Sequence, residues 1–371
     1  MEKVKGKREV NSPKRVVYLL GAGATQAEVS YKGGAPVNLL MRNSGLGLGV
    51  SSRIIKKART IKGLNRITKQ FKEEDEIDIE KLISLLTNTG IETHTKGAEE
   101  LRSLYYEDIV KKLVDTEVLA KPALAVGLLE MHNSRIFSDK IETLTAIISL
   151  NHDNLFQVAS QEVHGCINLG FKFYSDTFKK ENGKKTAPLL IQLHGSFNWI
   201  NAIPIKVIRL QPDSKCDGVL WIPPTILKES KDYPYNKLMG LAYEVLSKQC
   251  DILRIIGCSL SQNDWNIVSL LFNAQYNQSF HNKTNFKIEL IMDHDIGDRI
   301  KQEYSYLQNI VPIGYLTDGD FDAYDVKKVE RPVNSELNNP FKYWLKTKVQ
   351  YHIRKQEIND VCETLNEIME S

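Results

Sequence analysis

The chain has 371 residues, 42% apolar and 26% charged, an ordinary globular composition with room for one large domain with appendages, or for two domains. Its net charge of +3, from 49 basic and 46 acidic residues, makes no demand for a nucleic-acid or membrane partner. The five cysteines (Cys166, Cys216, Cys250, Cys258, Cys362) stand singly, which argues against a disulfide framework and a four-thiolate zinc site and fits reduced thiols in a cytosol.

Residues 1–14 read as a flexible tail, polar and basic, without the apolar stretch of a secretory signal. Val16–Leu20 is wholly apolar and runs into Gly21-Ala22-Gly23-Ala24-Thr25, the pattern of a buried parallel strand ending in a glycine turn. From 38 to 140 the chain turns helical. Ile77, Ile79, Leu82, Ile83, Leu85 and Leu86 suit one amphipathic helix stopped by Asn88 and Gly90, with further helices near 97–117 and 122–132. The basic run Arg53 to Lys72 reads as a solvated helix face, and direct nucleic-acid binding is not expected.

Strand-like runs return at Thr145–Leu150, Leu189–Leu193, Val219–Ile222, Ile252–Ile256, Lys287–Met292 and Ile310–Ile313, with helical patterns such as Lys237–Lys248 and Asp264–Tyr276 between them. Short apolar strands alternating with helices predict an α/β fold with a mostly parallel, doubly wound, Rossmann-like sheet. Residues 332–371 read as a C-terminal helical extension. No apolar run is long enough to cross a bilayer, so a soluble, cytoplasmic protein is expected.

In open parallel sheets, ligands bind outside the carboxyl ends of the strands. Those ends here carry Gly21 to Gly23, Asn151 with Asp153, His194 with Gly195 and Ser196, Gly257-Cys258-Ser259, and Asp293. Together they suggest one nucleotide crevice. Gly21 and Gly23 let the backbone turn sharply and approach a pyrophosphate, or merely make a tight strand–helix turn. The third glycine of the dehydrogenase fingerprint is missing from its usual place. His194, at a strand end, suits a general base, with Gly195 leaving space beside the ring. Asn151 offers amide donors and an acceptor to a water or a ribose hydroxyl. Asp153 can accept from an amide N–H, or the pair can form an Asx turn capping the next helix. His152 competes as the base, but its ring is expected on the opposite face from its neighbours.

Gly21-Ala22-Gly23-Ala24, Gly34-Ala35-Pro36, Asn151-His152-Asp153, Leu193-His194-Gly195-Ser196 and Gly257-Cys258-Ser259-Leu260 occur in the order found in sirtuins. With Pro223-Pro224-Thr225 and Asp264, the chain resembles the divergent prokaryotic sirtuin-like NAD hydrolases of antiphage defence over residues 14–325. The resemblance implies an NAD-binding domain over 15–331 with a helical insertion at 38–140. It implies an enzyme, an NAD glycohydrolase releasing nicotinamide and ADP-ribose, with NAD as substrate and no metal. His194 would be the base, Asn151 would hold ribose and water, and Asp153 the carboxamide. The loop Gly21, Ala22, Gly23, Ala24 and Thr25 would line the phosphates, with Pro36, Gly195, Gly257, Cys258, Ser259 and Asp293 completing the site. Homo-oligomers and, in one branch, a separate hexameric translocase ATPase partner are implied. Two features depart from the deacylating sirtuins. Val37-Asn38-Leu39 stands where they have Asp-Phe-Arg, and only Cys216 lies between Trp199 and Pro223, where they carry a four-cysteine zinc module. Both favour water over an acyl-lysine as acceptor. The alternatives are a sensor that binds NAD or ADP-ribose and, further off, an NAD-dependent protein deacylase.

Overall fold

The computed structural model describes residues 12–32, 37–69, 71, 77–134, 142–179, 187–225, 232–280, 286–292, 294–312, 341–346 and 348. Gly34-Ala35-Pro36 and Asp293 lie outside them, as do most of the expected tail and most of the C-terminal extension.

The main sheet has six strands, all parallel: β1 (Lys14–Leu20), β2 (Glu142–Ser149), β4 (Leu189–Gln192), β8 (Ile252–Ile256), β9 (Lys287–Ile291) and β10 (Ile310–Pro312). Across the sheet they run β10-β9-β8-β1-β2-β4. Counted along the chain, that is the 3-2-1-4-5-6 order of dinucleotide-binding folds, with its switch point between β1 and β8. The apolar runs make this sheet because both its faces are covered. Val16 to Leu20 and Leu253 to Ile256, apart from Arg254, are buried apolar residues contributing β-branched or bulky side chains to one core.

Helices line both sides. On one side α1 (Ala22–Lys32), α6 (Ala123–Asn133) and α7 (Leu155–His164) pack together; elsewhere α8 (Tyr235–Lys248) packs on β2 and β4 and pairs with α9 (Trp265–Phe280). α10 (His294–Glu303) leads into β10. The buried Glu28 carboxylate of α1 accepts the first N–H groups of α6, from Ala123, Leu124 and Ala125, and so caps that helix from a neighbouring element.

Between β1 and β2 lie α2 (Val50–Ala58), α3 (Lys62–Thr68), α4 (Ile79–Asn88) and α5 (Glu92–Asp115). Asp78 caps α4 through the N–H groups of Glu80 and Lys81, and Gly90 follows it at a φ of 69°. Arg53 of α2 makes a bidentate pair with Asp108 of α5. α6 belongs with the sheet's own helices, whereas α2, α3 and α4 pack on α5.

Val219–Ile222 does not join the main sheet. β7 (Val219–Trp221) lies in a second, four-stranded sheet ordered β3-β6-β5-β7, with β3 (Phe173–Tyr174), β5 (Gly195–Ile200) and β6 (Ile205–Val207), where β5 pairs antiparallel with both β6 and β7. Its strands are two to six residues long. Such short pieces show no helix between them and no alternation to set them apart from the parallel strands.

Candidate active site

Three parallel strand ends bring the sequence-selected residues together. Asn151 and His194 each lie two residues beyond a paired couple, Ser149 on β2 and Gln192 on β4. The Leu150 carbonyl, adjacent to Asn151, accepts from Nδ1 of His194 at 3.1 Å. Because a carbonyl can only accept, Nδ1 carries the proton, and in the neutral ring Nε2 is the basic nitrogen. His194 is buried.

Asn151 Nδ2 donates to the Gly21 carbonyl at 2.8 Å and to Thr25 Oγ1 at 2.9 Å. Thr25 Oγ1 in turn donates to Asp153 Oδ2 at 2.6 Å, and Asp153 Oδ1 accepts the Leu155 N–H at 3.0 Å. The chain of donors fixes the Asn151 amide: both its N–H groups are used, leaving Oδ1 to accept from a ligand. Asp153 therefore makes the Asx turn at the start of α7 with one oxygen and holds the Thr25 hydroxyl with the other. Burial raises its carboxyl above the usual range, against the pull of the Thr25 hydroxyl and the Leu155 N–H.

The glycines also let two turns pack closely. A Cβ on Gly21 would meet the Cys258 Cα at 2.5 Å, and one on Gly23 the Gly257 Cα at 2.7 Å. Gly257, at a φ of 57°, would strike the Ala24 nitrogen at 2.3 Å, and the Gly23 N–H donates to the Gly257 carbonyl. So the β1 and β8 loops, with Ala22, Ala24 and Cys258, pack on one another across the switch point. Ser259 follows, its carbonyl accepting from Arg299 at 3.4 Å. Gly195, at a φ of 75°, passes against β7, where a Cβ would meet the Leu220 carbonyl oxygen at 2.4 Å.

The His152 ring lies among aromatic side chains of α5, β5 and β7, while the Asn151 and Asp153 side chains turn to Gly21 and Thr25. The His152 ring centroid is 6.1 Å from that of His194, stacked on Phe197 at 5.0 Å and edged by Trp221 at 5.2 Å and Tyr105 at 6.2 Å. Its Nε2 donates to the Ile222 carbonyl at 2.9 Å, which leaves Nδ1 as its basic nitrogen. Tyr105 comes from α5, so the helical insertion supplies a wall of the site.

Sequence reasoning missed the polar floor. Gln192, the last residue of β4, donates to the Asp153 carbonyl at 2.8 Å and accepts from Gln157, which exchanges hydrogen bonds with Asn198. A cavity of about 20 Å³, room for one water, is lined by Ser149, Asn151, Asp153, Gln157 and Gln192 with Ile147, Phe156 and Leu190. The one signal for it in the sequence is a glutamine closing an otherwise apolar strand. Among the described residues, no group of His, Cys, Asp and Glu is placed to hold a metal ion, and no helix is long and apolar enough to cross a membrane. The chain matches no family model and no curated protein.

Proposed function

We propose that the chain is an NAD glycohydrolase: it hydrolyses the bond between nicotinamide and ribose, with His194 and Asn151 at the reacting carbon. The observation that supports this reading is the ordered chain Asn151–Thr25–Asp153 beside a histidine whose Nδ1 is committed to a carbonyl, all at the carboxyl end of a sheet in dinucleotide-binding order.

In this scheme nicotinamide leaves as a neutral base from an oxocarbenium-like ribose. Asn151 Oδ1 holds a ribose hydroxyl or the incoming water. The water oxygen bonds to the anomeric carbon, and its proton passes to Nε2 of His194, giving nicotinamide, ADP-ribose and one proton. General-base assistance is worth about 10²–10⁴ in rate. Asp153 and the loop from Gly21 to Thr25, with Gly257, Cys258 and Ser259, would bound the dinucleotide.

His194 and Asp153 are buried, and the cavity that Asn151 and Asp153 line has room for one water, not for a dinucleotide. Movement of the β1 and β8 loops, or of α5 over His152, would gate the enzyme. Such gating suits an activity whose unrestrained form would empty a cell of NAD, as expected of a cytoplasmic antiphage enzyme held in a homo-oligomer or by a translocase ATPase partner.

The test is nicotinamide release from NAD by the purified chain, alone and with the product of its neighbouring gene. His194→Ala and Asn151→Ala should each abolish release while circular dichroism shows the fold retained, at a thermal midpoint lowered by the lost hydrogen bonds. Turnover unchanged in either variant removes that residue from the scheme. Binding of NAD without release, under both conditions, would make the protein a sensor instead.

A further inference from the structure

α9 presents an outward face unlike that of an ordinary surface helix. Trp265 (64% exposed), Phe272 (44%), Tyr276 (66%) and Phe280 (74%) lie on it, spaced by seven, four and four residues, so that they form one stripe. The opposite face, with Ile267, Val268, Leu270, Leu271 and Ala274, is buried in the fold. Tyr306, 43% exposed, widens the stripe by packing edge-on against Phe272 at 5.9 Å. A quarter of the whole chain is charged, yet the sixteen residues of α9 include no Asp, Glu, Lys or Arg. A solvated helix of this length would normally carry several.

We propose that this stripe is the contact of a two-fold homodimer, α9 packing antiparallel on α9 of a second copy. Two properties select a second copy over an unlike partner. First, a two-fold contact places a surface against itself, so any charge on it would face its own kind; the absence of charge removes that obstacle. Second, the stripe is complementary to its own reversal. With the axis beside Phe272, that ring meets its copy, Trp265 lies toward the partner's Phe280, and the bulky Tyr276 falls opposite the partner's Ser269, a small residue on the same helix face. Phe, Tyr and Trp each offer 150–250 Å². The five rings thus expose roughly 600 Å², most of the about 800 Å² that one partner contributes to a standard interface. The inference does not depend on the chemistry proposed above.

The test is the mass of the full-length chain by sedimentation or light scattering over a dilution series. The parent should show twice the single-chain mass at high concentration and dissociate on dilution. Ser269→Glu and Tyr276→Lys, each alone, should raise the dissociation constant roughly tenfold or more. Mixing the two variants should restore the dimer, because one side then pairs Glu with Lys and the other keeps Tyr276 on Ser269. Trp265→Glu, at a largely exposed position, should weaken the dimer without disturbing the fold, which circular dichroism verifies. A parent that stays monomeric at about 100 μM, an assembly unchanged by the single variants, or a mixture no stronger than its components would each overturn the proposal.

Discussion

A single hydroxyl organises the candidate site. Thr25 Oγ1 accepts from Asn151 and donates to Asp153, so it sets the direction of the whole chain and leaves Asn151 only an acceptor to offer. Thr25→Val keeps the shape and removes the link. One of the two Asn151 N–H groups and Asp153 Oδ2 then each lack a partner, and such losses cost about 1–3 kcal/mol. Thr25→Ser keeps the hydroxyl and should recover most of that stability. If NAD is the substrate, the valine variant should lose nicotinamide release through kcat, since the amide is free to flip, while the serine variant retains it. Equal stability for Thr25→Val and the parent in thermal unfolding would show that the chain of donors contributes little to the fold. Asn151 and His194 were legible in the sequence because strand ends carry the ligand chemistry of such sheets. The direction of the Asn151 amide was not, since it depends on a threonine 126 positions away.

At the level of elements, the decisive contact is between two turns. Gly21, Gly23 and Gly257 let the β1 and β8 loops touch across the switch point, and Gly257 carries the strictest demand because of its positive φ and the 2.3 Å approach its Cβ would make to Ala24. Gly257→Ala should therefore cost at least 1–2 kcal/mol of backbone strain, about the penalty for an alanine forced into the left-handed region, plus whatever the loops lose by separating. A thermal midpoint within a degree of the parent would sink that account. The glycine turn was visible in the sequence as punctuation after an apolar run, and Ile252–Ile256 was readable to the residue. The partner of the turn was not readable, because a glycine that approaches a ligand and one that approaches another loop are the same letter. The second sheet escaped for a related reason: β3, β6 and β7 are two or three residues long, too short for any period to show.

Across the whole molecule, a buried charge cluster ties together segments far apart in the chain. Arg254 of β8 donates to Glu142 of β2, to Glu289 of β9 and to the Tyr18 hydroxyl of β1. Lys348 from the C-terminal region adds a second cation on Glu142 at 2.9 Å, and Trp344 lies 5.2 Å from the Arg254 guanidinium. The two buried carboxylates are matched by the buried Arg254 and by Lys348, with the half-exposed Lys287 also on Glu289 at 3.1 Å, the pairing under which charges are tolerated in a core. Burial would raise the Glu142 carboxyl, but Arg254 and Lys348 outweigh it and hold it well below its usual value. His132 of α6 borders the cluster, its Nε2 2.8 Å from the Tyr18 hydroxyl, and burial pushes its pKa from 6.5 down to about 3. Between those two values the unfolded chain takes a proton on this histidine and the native one does not, so stability increases with pH there. Acidification should begin to weaken the fold near pH 6.5, by up to about 1.4 kcal/mol per unit from this residue alone. The carboxylates add their own loss only below their unfolded value of 4.5. His132→Gln keeps a polar partner for Tyr18 and cannot ionise. Denaturant unfolding at pH 7.5, 6.5, 5.5 and 4.5 should show the parent losing stability faster than the variant across the last two steps. Parallel curves for the two proteins would mean that His132 is protonated in the native state, and that the cluster accommodates a further buried positive charge.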